Sequence, residues 1–170
     1  MIPVMARNRS VYMLIDVNGL ALDESLEFDF SEDMQVSNVP VKAHIKGSLV
    51  STNEGHIAKG DINAVLSLKC DLCLDEFKVE LELPFDEIYS NNGSDPEKEY
   101  RSFSDKIIDL KPAVEADILL NMPMKAVCSE NCKGLCPKCG QNLNKGECGC
   151  DREYSNPVFE KLMDLFEDKG

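Results

Sequence analysis

The eight cysteines are the residues of this sequence best suited to chemistry, and their spacing indicates a metal site. Six of the eight lie between Cys128 and Cys150, and the other two form a Cys-x2-Cys unit upstream. A Cys-x2-Cys turn lets two thiolates converge on one tetrahedral ion. The sequence therefore predicts zinc bound by thiolates. The candidate ligands are Cys70, Cys73, Cys128, Cys132, Cys136, Cys139, Cys148 and Cys150.

The way in which eight thiolates share metal ions follows from the number of ligands that zinc takes. A structural zinc site has four ligands, so two ions per chain are predicted. The preferred division joins Cys70 and Cys73 with Cys128 and Cys132, and leaves the last four cysteines as a local site. A rival division moves Cys132 into the local site and leaves Cys128 or Cys150 free.

Other uses of clustered cysteines compete with zinc. Disulfides suit a secreted chain, but Met1 is followed by no signal-peptide pattern, so we expect a reducing cytosol. A thioredoxin-like redox pair requires Cys-x2-Cys at the start of a helix, whereas Cys70 and Cys73 lie between two strand-like runs. Thiolates also hold iron–sulfur clusters, and this alternative stays open. The histidines, His44 and His56, lie on or beside strands and are disfavoured as ligands.

The overall charge bears on the kind of partner. The chain carries 31 acidic and 18 basic residues, for a formal charge of −13. A surface this acidic repels the phosphate backbone of nucleic acid, so contact with RNA is expected only at a basic patch. No apolar run is long enough to span a bilayer. We therefore expect a cytoplasmic protein with a protein partner, and neither a membrane partner nor a small-molecule substrate.

Two regions depart from the average charge. The stretch 10–41 holds seven acids and no basic residue, whereas the stretch 125–145 holds four lysines and a single glutamate. The acids form either a solvated strand face or a docking surface for a basic protein. The lysines either offset the negative charge of the thiolates or contact an anion such as rRNA. The candidate contact residues are Glu27, Asp29, Lys133 and Lys138.

Alternating apolar and polar residues predict antiparallel strands over most of the first 90 residues. The alternating runs are 11–17, 26–30, 41–49, 62–68 and 77–85. Short turns join them, so a meander with one core face and one wet face is expected. The unit formed by Cys70 and Cys73 then closes a hairpin at the end of the sheet.

Helical spacing follows a polar, turn-rich loop. Asp109 is the expected N-cap, Pro112 falls in the first turn, and Pro123 ends the helix. Ile118 and Leu119 supply the face that packs on the sheet. The helix would return the chain to the end of the sheet, so that Cys128 comes near the first cysteine pair.

The fold class predicted from these patterns is α+β: an antiparallel β meander with a packed helix, a cysteine-rich zinc knuckle and a C-terminal helix. The last helix starts with Asn156 as N-cap and Pro157 at the first helical position. The predicted division is 1–106 for the sheet core that carries the first Cys-x2-Cys unit, 107–127 for the packed helix, 128–152 for the knuckle and 153–170 for the terminal helix.

Several sequence blocks occur together in one order. They are Cys70-Asp-Leu-Cys73-Leu-Asp-Glu-Phe77, Ile108-Asp-Leu-Lys-Pro112, Cys132-Lys-Gly-Leu-Cys136-Pro-Lys-Cys139-Gly-Gln-Asn-Leu-Asn144, Cys148-Gly-Cys150 and Asn156-Pro157-x-Phe159. In these blocks the chain resembles the YceD-like family, the large ribosomal RNA subunit accumulation proteins. The resemblance is specific in the cysteine blocks and weak over 1–40. It implies a cytoplasmic bacterial protein, or its organelle relative, that supports processing or accumulation of large-subunit rRNA.

No enzyme signature accompanies these blocks. The sequence has no Ser-His-Asp arrangement, no glycine-rich phosphate loop and no histidine-bearing zinc site with an open position. The strand acids alternate toward solvent, which disfavours a metal-dependent nuclease. Two hypotheses follow: a non-catalytic ribosome-biogenesis factor that binds a basic large-subunit or assembly protein, and a zinc-stabilised adaptor unrelated to ribosomes.

Overall fold

The fold is seen in a computed structural model, which describes residues 13–90, 99–103 and 105–150. Antiparallel β-sheet is the main regular structure of this part of the chain, and the described residues include one short helix. The strands are β1 (Leu14–Asp16), β2 (Ser25–Val36), β3 (Val39–Thr52), β4 (Gly55–Lys69), β5 (Glu76–Tyr89) and β6 (Ile107–Asp109), and the helix is α1 (Lys111–Asn121).

The four long strands form the predicted meander, in the order β2-β3-β4-β5. All neighbours are antiparallel, and the register runs without interruption from one end of each hairpin to the other. The alternation of apolar and polar residues continues beyond the predicted runs, so the strands are 12 to 15 residues long. One face of this sheet is buried and the other is wet.

A pair of glycines lies at the centre of the buried face. Gly47 of β3 pairs with Gly60 of β4, and Phe28 and Phe85 flank this pair on the two outer strands. A Cβ atom on Gly47 would lie 2.1 Å from the Lys59 carbonyl oxygen, so no larger residue fits. Two adjacent glycines allow the inner backbones to approach closely, and the large rings fill the space beside them.

The buried face is covered by α1 and by the small sheet that β1 and β6 form. Ala113, Val114 and Ile118 of α1 are fully buried, and the helix packs against β5 and β2, the two edge strands. Among the described residues, no helix has the length and apolar character needed to cross a bilayer.

Three details differ from the sequence predictions. The cap position is Leu110 and not the predicted Asp109, which belongs to β6 and pairs with Leu14. The Asp109 Oδ1 still accepts a hydrogen bond from the N–H of Lys111, the first residue of α1, at 2.9 Å. Leu119 does not pack on the sheet but is half exposed, since it points about 100° away from Ile118 around the helix. The first strand runs only from Leu14 to Asp16, in a separate two-stranded sheet.

The α+β prediction is correct for the antiparallel sheet and the packed helix, but it overstates the helical share of the described chain. Pro112 does lie in the first turn of α1, where its missing N–H costs no hydrogen bond. The helix predicted for 153–170 lies outside the described residues. The domain boundaries at 106, 127 and 152 stay a prediction.

Candidate metal centre

The structure gathers the eight thiols into two groups of four. The sulfur atoms of each group all lie within 4.8 Å of one another, and all eight cysteines are free rather than disulfide-bonded. The first cluster is Cys70, Cys73, Cys128 and Cys132, and the second cluster is Cys136, Cys139, Cys148 and Cys150. This grouping is the division preferred from the sequence, and it differs from the rival division.

The sulfur separations in the first cluster suit a tetrahedral metal ion. Cys70 Sγ lies 3.8 Å from Cys132 Sγ, and Cys73 Sγ lies 3.7 Å from Cys128 Sγ. Four sulfurs at about 2.3 Å from a central zinc would be about 3.8 Å apart at the edges of a tetrahedron. The same atoms are too far apart for disulfides, whose sulfurs are about 2.0 Å apart. Both clusters could therefore hold metal ions.

The first Cys-x2-Cys turn connects β4 to β5. The Leu74 N–H donates to the Cys70 carbonyl oxygen, and the Cys70 N–H donates to the Asp75 carbonyl oxygen, both at 2.9 Å. Leu74 adopts a positive φ of 62°, which directs the chain back into β5. Cys70 and Cys73 are both buried at this end of the sheet. The predicted hairpin closure by this cysteine pair is confirmed.

The second Cys-x2-Cys turn repeats this backbone pattern. The Gly140 N–H donates to the Cys136 carbonyl oxygen, and the Cys136 N–H donates to the Gln141 carbonyl oxygen, both at 2.8 Å. Gly140 has a φ of 74° and occupies the place of Leu74 in the first turn. A glycine takes this backbone conformation without steric cost.

Both turns stabilise a thiolate at their first cysteine. Burial raises the pKa of Cys70, but backbone N–H groups, that of Cys128 first and those of Cys73 and Leu72 after it, outweigh burial and lower the pKa to about 6. For Cys136, backbone N–H groups, that of Cys139 foremost, lower the pKa to about 6. Backbone N–H groups favour the charged form of a buried sulfur, which is also the form that ligates metal.

Another thiol in each cluster has a raised pKa. Hydrogen bonding to Cys132 is the largest cause that raises the pKa of Cys128 to about 12, and hydrogen bonding to Cys139 does the same for Cys150. Four thiolates this close cannot all ionise against one another. A divalent cation would supply the missing positive charge, so the donor set fits a metal ion in each cluster.

Asp71 brings the distant half of the first cluster to the β4–β5 turn. Its N–H donates to the Ala126 carbonyl oxygen (2.7 Å), and its Oδ2 accepts from the Ala126 N–H (2.8 Å). Two residues further on, the Cys128 N–H points at Cys70 Sγ (3.4 Å). The Leu135 N–H also donates to the Leu72 carbonyl oxygen (3.0 Å). These contacts fix the chain that follows α1 against the first turn.

Asp75 ties the two clusters together. Its carboxylate accepts from Asn142 Nδ2 (2.8 Å) and from Lys145 Nζ (2.9 Å), and the hydrogen bond from Lys145 is the main reason that the pKa of Asp75 is lowered. Asn144 continues the network through its side chain. Its Nδ2 lies 3.3 Å from Cys132 Sγ, and its Oδ1 accepts a hydrogen bond from the Lys133 N–H. The loop of the second cluster is thus bonded to the first.

These linking residues were missed by the sequence reasoning, which named only cysteines as residues of the metal sites. The missed residues are Asp71, Asp75, Asn142 and Asn144. A signal was present in the sequence blocks that resemble the family, because all four lie inside the cysteine blocks. Polar residues at fixed offsets from metal ligands commonly orient the ligands.

The predicted partner-contact residues fall into two groups. Glu27 and Asp29 are exposed on the wet face of β2, and Asp29 Oδ1 bonds His44 Nε2 at 2.8 Å. Lys133 and Lys138 are exposed in the loops that carry the clusters. Neither His44 nor the other histidine belongs to a cluster. The structure therefore separates an acidic strand face from lysines beside the clusters.

Fold and site together define a mostly antiparallel β protein with two four-cysteine clusters that could hold metal ions. The family described as "Large ribosomal RNA subunit accumulation protein YceD" has a model that matches residues 58–166. The chain belongs to the YceD family, as the resemblance of the cysteine blocks implied. The matched range includes all eight cysteines.

Several curated proteins are similar to this chain. An uncharacterized protein of Mycobacterium tuberculosis is 29% identical over 120 residues, which is 68% of this chain and 58% of that protein. The chloroplastic "Large ribosomal RNA subunit accumulation protein YCED homolog 1" of Arabidopsis thaliana is 39% identical over 62 residues, 36% of this chain and 19% of its own length. The Zea mays homolog is 46% identical over 48 residues, which is 28% of this chain and 16% of that protein. No solved structure matches the chain significantly.

Proposed function

We propose that this protein is a non-catalytic factor that supports the synthesis, processing or accumulation of large-subunit rRNA, and that its two clusters hold structural zinc. The observation that carries the zinc assignment is the pair of four-thiolate clusters, with edge distances of 3.7 and 3.8 Å in the first. A site made of four thiolates has no open coordination position, so it stabilises structure rather than activating water. The family name supports the rRNA role.

The partner in this proposal is a basic large-subunit ribosomal protein or an assembly factor. The formal charge of −13 favours a basic protein over bare rRNA. The strand acids Glu27 and Asp29 offer one docking surface, and Lys133 and Lys138 offer a contact for rRNA beside the clusters. Because exposed charge pairs are screened within about 10 Å at 0.1 M salt, binding should weaken steeply as salt is added.

The rRNA role is tested by deleting the gene. We expect the deletion strain to lose mature large-subunit rRNA while the small subunit stays comparatively intact, and the wild-type protein to restore the subunit profile in a sucrose gradient. Glu27→Lys with Asp29→Lys should fail to restore it if β2 is the docking surface. Lys133→Ala with Lys138→Ala should fail if the cluster loops are the contact.

Normal subunit profiles in the deletion strain, together with absence of the protein from every ribosomal fraction at low salt, would remove the ribosomal role. The zinc-stabilised adaptor unrelated to ribosomes would then take its place. The charge-reversal and lysine variants must retain the same zinc content as the wild-type protein, because loss of zinc would impair rescue for a structural reason.

A further inference from the structure

The strand β5 is an edge of the four-stranded sheet, and most of that edge is unpaired within the described residues. The described pairing on it is at the far end, where the Arg101 N–H donates to the Ile88 carbonyl oxygen (2.8 Å) and the Ser90 N–H donates to the Arg101 carbonyl oxygen (2.9 Å). A long edge of this kind offers a template for another strand.

The orientation of the backbone groups along this edge follows from these two bonds. In an antiparallel strand, the backbone N–H and C=O groups of successive residues point alternately toward one neighbouring strand and toward the other. The backbone groups of Ile88 and Ser90 point away from β4. Since the β4–β5 register has no break, the backbone groups of all even-numbered residues of β5 point away from β4 as well. Pro84, which has no N–H to donate, falls in this set, as expected for a proline on an edge.

The side chains along the same edge favour a particular partner sequence. The even-numbered residues place four acids and one lysine on the wet face: Glu76, Lys78, Glu80, Glu82 and Asp86. Asp86 is bonded to Lys59 at 2.8 Å, whereas Glu80 and Glu82 take part in no ion pair among the described residues. Basic side chains on an added strand would therefore lie beside unneutralised carboxylates.

On the other face of the sheet, β5 presents a row of apolar side chains that are only half buried. The residues of this row pack on the core with one side and remain open on the other: Phe77, Val79, Leu81 and Leu83. An added strand would cover them with its own apolar residues. Since side chains alternate between faces, the best-matched strand alternates basic and apolar residues.

The opposite edge, β2, lacks this half-buried row. Phe28, Phe30 and Met34 on its inner face are buried, and Glu32 is bonded to Lys111 of α1. An added strand at β2 would cover little further apolar surface. A second copy of this chain is also a poor occupant for β5, because two acidic edges would face each other.

We propose that the open edge of β5 binds an extended segment of a partner protein in which basic and apolar residues alternate, and that this segment adds to the sheet as a fifth strand. The inference deepens the proposed function by naming the chemistry of the partner segment, and it rests on that function only for the source of the segment. Main-chain hydrogen bonds supply affinity, and the alternating side chains supply selectivity.

The test uses the full zinc-loaded protein and a synthetic peptide of roughly eight alternating lysine and valine residues, about the length of an ordinary strand. Glu80→Pro removes the outward N–H at the centre of the edge, and Glu80→Ala removes the same charge while keeping that N–H. Pro84 shows that a proline of this orientation is compatible with the strand. We expect Glu80→Pro to bind the peptide about tenfold more weakly than Glu80→Ala, by calorimetry.

A peptide that is N-methylated at alternate residues has the same charge but cannot form the ladder, and it should bind at least about tenfold more weakly than the unmodified peptide. Amide exchange should show new protection over 76–86 when the unmodified peptide is added. Equal affinities for the two Glu80 variants, equal affinities for the two peptides, or no binding at all would overturn the proposal.

Charge reversal on β5 and at two acids outside the sheet supplies the matched control. Glu80→Lys with Glu82→Lys should weaken peptide binding, whereas Glu130→Lys with Glu147→Lys, two exposed acids in the cysteine loops, changes the net charge equally and should leave binding within about twofold. An equal loss in both would mean general attraction to an acidic protein and would overturn the assignment to β5. These measurements use purified protein, so their outcome is independent of the rRNA phenotype.

Discussion

The two Cys-x2-Cys turns share one backbone geometry but recruit their remaining cysteines over different lengths of chain. In the first turn, Cys70 and Cys73 meet cysteines that are 62 and 55 residues away. In the second turn, Cys136 and Cys139 meet cysteines that follow within the same loop. Closing a long loop costs more conformational entropy than closing a short one, unless the intervening chain is already folded.

The same Cys-x2-Cys turn can therefore either connect two distant parts of the chain or organise a single loop. The first turn is built into the β4–β5 hairpin, and its cluster holds the chain after α1 against the sheet through Asp71 and Ala126. Among the described residues, the hydrogen bonds that hold the second turn to the sheet run through the first turn, to the Asp75 carboxylate and the Leu72 carbonyl oxygen. Damage to the first cluster should therefore spread to the second, while damage to the second should stay local.

The largest expected effect comes from removing a ligand of either cluster. The wild-type protein should contain about two zinc ions, and Cys73→Ser and Cys139→Ser should each lose about one. Since metal binding contributes folding free energy directly, Cys73→Ser should raise amide exchange over both 126–132 and 134–145, whereas Cys139→Ser should raise it only over 136–150. Elemental analysis and exchange mass spectrometry measure the two results.

Three outcomes would contradict this comparison. A wild-type zinc content near one equivalent would remove the two-site division, and a brown, visibly absorbing protein would indicate iron instead of zinc. Unchanged protection of 128–132 in Cys73→Ser would mean that these cysteines do not share an ion with the first turn. The control is Ser129→Ala, which changes an exposed serine that is not a ligand. This variant should keep both zinc ions.

A smaller effect is expected from cutting the link between the clusters. Asp75→Ala removes the acceptor of both Asn142 and Lys145, so exchange should increase over 141–145 while both zinc ions are retained. The loss should be modest, because an exposed ion pair contributes little by itself. Glu147→Ala removes an equal charge from the same loop outside the described ion pairs, and it should leave exchange unchanged. A zinc content that falls in Asp75→Ala would make Asp75 essential for ligation rather than for linkage.

The smallest effect concerns the residue with positive φ in each turn. Gly140→Leu should lower the free energy of unfolding by about 1 kcal/mol, since a branched side chain is strained in this conformation. Leu74→Gly should change it by less than about 0.5 kcal/mol, because relief of strain is offset by the greater freedom of glycine in the unfolded chain. Leu74 is 61% exposed, so little burial is lost. Chemical denaturation of the zinc-loaded variants measures both changes in unfolding free energy. Equal losses in Gly140→Leu and Leu74→Gly would mean that the two turns are not equivalent in conformation.

Much of the sheet follows from the sequence by itself. The alternation of apolar and polar residues is a local property, so it places the strands and assigns their faces before any tertiary contact is known. The cysteine count and the four-ligand requirement of zinc likewise indicated two clusters and the compact local one. Local patterns were less reliable at Asp109 and Leu119, where pairing with β1 and the direction of the helix face decided the outcome.

The tertiary structure alone decided the contacts that connect distant parts of the chain. The sulfur distances of the first cluster, the carboxylate of Asp75 between the two turns, and the outward backbone groups of β5 all depend on strand register and on how α1 returns the chain to the sheet. Register is set by many cooperative pairings, and a shift of one residue would reverse every side chain and every backbone group along β5. No single stretch of sequence carries that information, because it resides in the packing of strands far apart in the chain.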